Sequence, residues 1–305
     1  MLTIVFIAFY YYGVRAVLVV AISCFASVFS DYIASVTRRI KFDWTDLSPV
    51  MSGALLALLM PATVPYTVMA FSACFMSLIC KNAFGGNKNP IFCPVCLAYI
   101  FTSFCFPSYV LRYPQPTPFG KLPLTNIVAD GLGYSYTYSL DNGSASAFSL
   151  LDIIWGKLAG PMGAMAVSII IIAGVSLYFF GDIPSAAFFS GFGANVLINV
   201  ISPVGEPGWY AVLNSLVAGS FLFVLVFMAC DFRYVPKRIF SQAVYGVLFA
   251  LSSYYIRKYT IIENGAVFSL PLLCILKTNS IALPALLNGL LNSFGNGQES
   301  SLLPL

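Results

Sequence analysis

The chain has 305 residues, 59% of them hydrophobic and only 9% charged, with a net charge of +4 and a mean hydropathy of +0.88. A soluble domain carries about 25% charged residues to face water, so this composition excludes a soluble globular protein and predicts lipid as the solvent. The absence of histidine excludes His-ligated haem, imidazole metal sites and Ser-His or Cys-His nucleophilic pairs, and the dispersed positive charge encodes topology rather than a nucleic-acid surface.

In chain order, Leu2 to Tyr12 is apolar but shorter than the ~20 residues a span needs, which predicts an incomplete first helix, with Met1 in doubt as the native start. Val14 to Val36 makes a full span ending at Arg38, Arg39 and Lys41. Ser48 to Met60 is a helix stopped by Pro61, and Pro65 opens the next, running to about Lys81. A Gly-rich turn at Phe84 to Pro90 leads into an apolar segment from Ile91 to Phe106, closed by Pro107. Between Pro107 and Lys157 the chain turns Pro-rich and then Ser/Tyr/Gly-rich, the one long non-helical stretch and the place where function is expected to gather. Five more apolar segments follow, at Pro161–Phe180, Pro184–Ile201, Trp209–Ala229, Ile239–Ile256 and Ala266–Leu286.

The expected fold is an all-α polytopic membrane protein, a single membrane domain over residues 1–305 with about ten transmembrane helices, the first of them short. Residues 107–157 form an extracytoplasmic loop, and residues 293–305 a flexible cytoplasmic tail. One set of loops holds Arg38, Arg39, Lys41, Lys81, Lys88, Arg233, Lys237 and Arg238; the other holds Arg15, Arg112, Lys121, Lys157, Arg257 and Lys258. The positive-inside rule makes the first set cytoplasmic and places both termini inside.

Of eight cysteines, most sit in apolar stretches and read as small hydrophobes. Cys93-Pro-Val-Cys96 has the spacing of a redox pair or of half a metal site. Asp31 reads either as an intramembrane functional carboxylate or as a charge snorkelling to the interface near Arg38. Gly85 and Gly86 suit a tight turn or exposed N–H groups for a phosphate. Gly53, Gly156, Gly160, Gly163 and Gly174 suit close helix packing. The alternating Tyr134, Tyr136 and Tyr138 read as interfacial anchors or as a stacking surface.

Three separated segments carry the motifs of one family. The first is Asp46-Leu-Ser-Pro-Val-Met-Ser-Gly53 through Met60-Pro61, with Val64-Pro65-Tyr66 after it. The second is Phe84-Gly85-Gly86 continuing to Ile91-Phe92-Cys93-Pro94 and Ala98-Tyr99, where Pro90 and Cys93 stand in place of family asparagines. The third is Phe227-Met228-Ala229-Cys230-Asp231, with Cys230 for a Thr and Phe232 for a Pro. Leu150-Leu151-Asp152, with Gly156, Gly160 and Gly163 after it, resembles the segment entering that family's sixth helix; the family these segments resemble is the D subunit of the Rnf electron-transport complex and the related B subunit of the sodium-pumping NADH:quinone oxidoreductase.

The resemblance implies a subunit of a bacterial cell-membrane complex that passes electrons between ferredoxin and NAD, coupled to ion movement. Its partners would be other Rnf-type subunits and the lipid bilayer, with no nucleic acid. It also implies FMN joined through its phosphate to a Thr in a Ser-Gly-Ala-Thr motif of the outer loop. Here that stretch reads Asp141-Asn-Gly-Ser144-Ala-Ser146-Ala, with no Thr. Ser146 is nearest the Thr position and keeps the reacting oxygen, with Ser144 as the alternative; a second, non-covalent flavin is the further expectation. Asp231 reads as part of a cofactor pocket or ion path, or as half of an interfacial salt bridge with Arg233. No residue is expected to be catalytic and none to bind a metal. The chain would be a non-autonomous subunit of a redox-driven ion pump. The rival readings are a secondary transporter or permease, suggested by the helices broken at Pro61 and Pro65, and a flavin-free D-type scaffold.

Overall fold

A computed structural model describes residues 1–39, 45–84, 90–114, 122–123, 159–165, 167–203, 212–213, 215–216, 220–260 and 264–274. Among these the chain is helical, with no β-strand. The elements are α1 (Leu2–Tyr12), α2 (Val14–Thr37), α3 (Ser48–Leu59), α4 (Tyr66–Phe75) and α5 (Pro94–Cys105), then α6 (Pro107–Val110), α7 (Val167–Phe180), α8 (Ser185–Ile201), α9 (Phe221–Val224), α10 (Ile239–Tyr259) and α11 (Gly265–Cys274). Two of them, α4 and α9, run on without a break as π-helices, over Met76–Ala83 and Leu225–Ala229 respectively.

α2 and α10 are long and apolar enough to cross a bilayer, and α1, α3, α5, α7, α8 and α11 are shorter apolar helices. Their outer faces are greasy: Phe180, Ile201 and Phe240 are each 81% exposed. An apolar periphery of this kind belongs in lipid, and the molecule is a helical membrane protein.

Glycine in left-handed geometry separates α1 from α2, at Gly13 (φ 72), where a side chain would be strained. The predicted boundaries at Val14, Ser48 and Ile239 hold. α5 ends at Cys105, just before Pro107 as predicted, and Pro107 also occupies the first position of α6, where its missing N–H costs nothing. The predicted span from Pro161 starts only at Val167. The residues before it lie in turns against the broken end of α3, where Gly163 N donates to Leu58 O at 2.7 Å and Met162 N to Met60 O at 3.3 Å. These bonds satisfy carbonyls that the Pro61 break leaves open.

Close approaches fix the packing. Ser23 and Ser27, one turn apart on α2, donate to Gly53 O at 2.7 Å and Pro49 O at 2.8 Å on α3. A Cβ on Gly53 would sit 3.0 Å from Cys24 Cα. α8 and α10 make the most extensive pairing, and at their crossing a Cβ on Gly246 would come within 2.8 Å of Gly191 N and closer still to Ala187 O. Backbone-to-backbone contact through small residues is how helices associate where lipid removes the hydrophobic drive. Gly163 and Gly174 pack closely as expected; at Gly160, although the residue is buried, a Cβ would meet nothing within 4 Å, and Gly156 lies outside the described residues.

Candidate functional site

Four stretches of chain form the walls of one cavity of about 490 Å³. Its walls come from the N-terminal turns of α3 (Ser48, Met51, Ser52, Leu55), the end of the first π-helix (Cys80, Lys81), the entry to α5 (Pro90, Cys93, Pro94, Val95) and the segment closing the second π-helix (Phe227, Met228, Asp231, Arg233, Tyr234). Met1 and Leu177 complete it. Among these walls are parts of all three segments that the sequence singles out, brought together although they lie some 40 to 180 residues apart along the chain.

Local chemistry explains each wall. Asp46 accepts from Ser48 N at 2.9 Å, so the aspartate of the first segment fixes the turn that leads into α3, whose N-cap is Leu47 and whose second residue is Pro49. Cys93 is held extended (φ −70, ψ 111) by the proline after it and becomes the N-cap of α5, its carbonyl accepting from Leu97 N at 3.2 Å. The second π-helix ends where Cys230 N reaches Leu225 O at 3.2 Å, and Tyr245 of α10 donates its hydroxyl to Ala229 O at 3.3 Å. π-helical turns concentrate at functional sites because the extra residue re-aims the side chains that follow. Both of these open onto the cavity.

Asp231 follows directly. Its carboxylate accepts from Arg233 N at 2.9 Å, a local turn, and clasps the same residue's guanidinium at 2.9 Å (Nε) and 2.6 Å (Nη2). That hydrogen-bonded carboxylate holds the Arg233 proton even more firmly than usual. The ion pair that the sequence offers as one reading is therefore present, and it stands in the cavity wall. With the Arg233 side chain half exposed (49%), such a pair stabilises the fold by under about 1 kcal/mol, so its consequence is placement of charge at the cavity.

Asp31 is not a charge snorkelling to the surface. Its side chain is buried, paired with Lys81 Nζ at 3.3 Å and accepting from Asn82 Nδ2 at 2.8 Å and Ser77 Oγ at 3.3 Å. Lys81, expected in a cytoplasmic loop, is 8% exposed and turns inward, because the π-helical winding carries Ser77, Lys81 and Asn82 onto α2. The cavity thus has two carboxylate–cation pairs near it, Asp31–Lys81 and Asp231–Arg233, amid methionine, leucine and phenylalanine.

Arg15 is likewise no loop residue. It lies fully buried in the first turn of α2, donating to Ala62 O at 2.8 Å, Thr63 O at 3.1 Å, Val64 O at 3.4 Å and Pro123 O at 2.7 Å, and it lies over the Tyr66 ring at 5.1 Å. Unwound backbone between Pro61 and Pro65 exposes carbonyls, and a buried guanidinium is the donor set that answers them.

Gly85, Gly86, Ser144 and Ser146 lie outside the described residues, as do Asp152 and Tyr134, Tyr136 and Tyr138. On either side of residues 85–89, Ile91 N reaches Phe84 O at 3.5 Å. Sequence reasoning passed over Lys81, Arg233 and Tyr234 as site residues; the positions of Arg233 and Tyr234, within three residues of Asp231, were the available signal. Among the described residues no group of three His, Cys, Asp or Glu side chains is placed to hold a metal ion.

The family model for the NQR2, RnfD, RnfE family matches residues 1–281. The chain is 24% identical over 269 residues to the D subunit of the Na(+)-translocating ferredoxin:NAD(+) oxidoreductase complex of Acetobacterium woodii, covering 88% of this chain and 80% of that protein. It is 22% identical over 250 residues to the proton-translocating counterpart of Clostridium ljungdahlii, covering 77% and 72%. It is 27% identical over 220 residues to the B subunit of the Na(+)-translocating NADH-quinone reductase of Klebsiella pneumoniae, covering 68% of this chain and 52% of the relative. With a match across nearly the whole chain and three of its segments walling one cavity, the protein belongs to the NQR2, RnfD, RnfE family.

Proposed function

We propose that the chain is the D-type membrane component of an Rnf-type ion-translocating ferredoxin:NAD oxidoreductase of the bacterial cell membrane, assembled with other Rnf subunits and embedded in the bilayer by about ten spans. It acts only within that assembly, since redox steps before and after it require iron–sulfur and dinucleotide sites on partners. The convergence of the three family segments on one charged, apolar-walled cavity carries this reading.

Ser146 of the outer loop is the proposed attachment point for FMN, through its hydroxyl oxygen, and Ser144 the alternative. A bound flavin supplies one-electron redox chemistry that no side chain of this protein offers. The cavity suits a second, non-covalent flavin: its volume lies in the range of small-molecule sites, Met51, Leu55, Phe227 and Met228 offer surface to a flat ring, and Lys81, Arg233 and Tyr234 offer donors to its edge. Gly85 and Gly86 stand beside this cavity in sequence and are proposed to admit a close backbone approach to the ligand.

Co-expression with a flavin transferase, followed by peptide mass spectrometry across residues 131–157, tests the attachment. An FMN-sized adduct on Ser146 is expected. A flavin-free peptide would leave the D-type scaffold as the better reading, and a colourless protein that accumulates a solute in vesicles would favour the transporter, for which the broken helix at Pro61 to Pro65 is the structural argument.

A further inference from the structure

The flavin reading leaves the Cys93-Pro-Val-Cys96 motif unused. Cys93 caps α5 and Cys96 stands three residues on, in its first turn. Residues so spaced on a helix have Cα atoms about 5 Å apart, within the span of a disulfide. The two differ in access. Cys93 lines the cavity, whereas Cys96 lies beneath it with no exposed surface. Cys93 stands at the N-cap of α5, where the first-turn amide N–H groups of Val95 and Cys96 have no partner within the helix. The positive end of that helix favours a thiolate at this position. With no third ligand for a metal among the described residues, the arrangement is a dithiol: one sulfur on a cavity-lining residue that is 4% exposed, a second with no exposed surface, and a chamber in front.

We propose that Cys93 and Cys96 form a thiol–disulfide exchange site for low-mass disulfides that enter through the cavity. The Cys93 thiolate, its proton released to solvent, attacks one sulfur of the disulfide RS–SR. That S–S bond breaks, a mixed disulfide forms on Cys93, and RS⁻ leaves and takes up a proton. Cys96 then loses its proton and attacks the Cys93 sulfur, expelling the second RS⁻, which is protonated in turn. The protein gives up two electrons and two protons, and RS–SR becomes two RSH. Closing the bond alters the cavity wall at Cys93, so the state of this pair bears on whatever the cavity holds. The exchange itself is independent of any flavin.

The test uses the full chain in detergent, equilibrated with oxidised and reduced glutathione, quenched in acid, alkylated and mapped by peptide mass spectrometry. Oxidising buffer should give one peptide carrying both cysteines, two hydrogens lighter and refractory to alkylation, restored by dithiothreitol. Cys96→Ser should stop at a glutathione adduct on Cys93, and Cys93→Ser should leave Cys96 unmodified. Full alkylation of both cysteines after oxidised glutathione would overturn the proposal. So would a Cys80–Cys93 bridge, Cys80 being the other cavity-lining thiol. The unsubstituted chain decides the matter alone if either serine variant fails to fold.

Discussion

A guanidinium keeps its proton at any physiological pH, so Arg15, fully buried in α2, has to be surrounded by acceptors. It takes them from the unwound turn after α3 and from Pro123. A hydrogen bond to a charged group contributes about 1.5–3 kcal/mol, and here several share one side chain, so Arg15→Met should destabilise the protein by about 3 kcal/mol or more. Thermal unfolding in detergent, followed by exposure of buried thiols, measures it; an unchanged midpoint would mean that the turn holds itself. Asp31 poses the opposite problem. Asp31→Asn leaves the Lys81 ammonium buried beside a neutral group, a loss of about 3–5 kcal/mol, while a double Asp31→Leu, Lys81→Met variant should recover most of it. A double-mutant cycle without coupling would refute the pairing. Asp231→Asn, by contrast, should cost under about 1 kcal/mol, yet lower electron transfer in the assembled complex. Normal turnover by that variant would remove Asp231 from the site.

At the scale of elements, the crossing of α8 and α10 leaves no room for a side chain at Gly246. Gly246→Val should push the helices apart at a cost of about 1–3 kcal/mol, whereas Gly160→Ala, where a Cβ would meet nothing within 4 Å, should change the melting midpoint hardly at all. Equal effects would show that the crossing is not set by contact at Gly246. Helix existence was legible because apolar runs bounded by proline and charge need no tertiary information; α2, α3, α8 and α10 lie close to their predicted limits. The π-helical turns were not legible, since a one-residue change in winding leaves the composition of Met76–Ala83 and Leu225–Ala229 as apolar as any helix end. Gly246 escaped notice for a related reason: whether a glycine packs or idles depends on the partner brought to it, here Gly191 on another helix.

For the whole molecule, the sequence signal for function lay in three short segments and one loop. The segments pointed to a site because they converge on one cavity, yet only Asp231 among the cavity residues was singled out beforehand as a pocket residue. The charges beside it, Lys81 and Arg233, looked like topology markers until folding turned one inward and clasped the other to Asp231. In the proposed reading the helices are a membrane frame that serves this cavity and an outer loop within one electron-transport component. That the chain carries a flavin is the central claim, and in-gel fluorescence of the denatured protein after co-expression with a flavin transferase, with and without Ser146→Ala, tests it most directly. A fluorescent band that disappears in Ser146→Ala is the predicted result; a non-fluorescent band from the unsubstituted chain would contradict it.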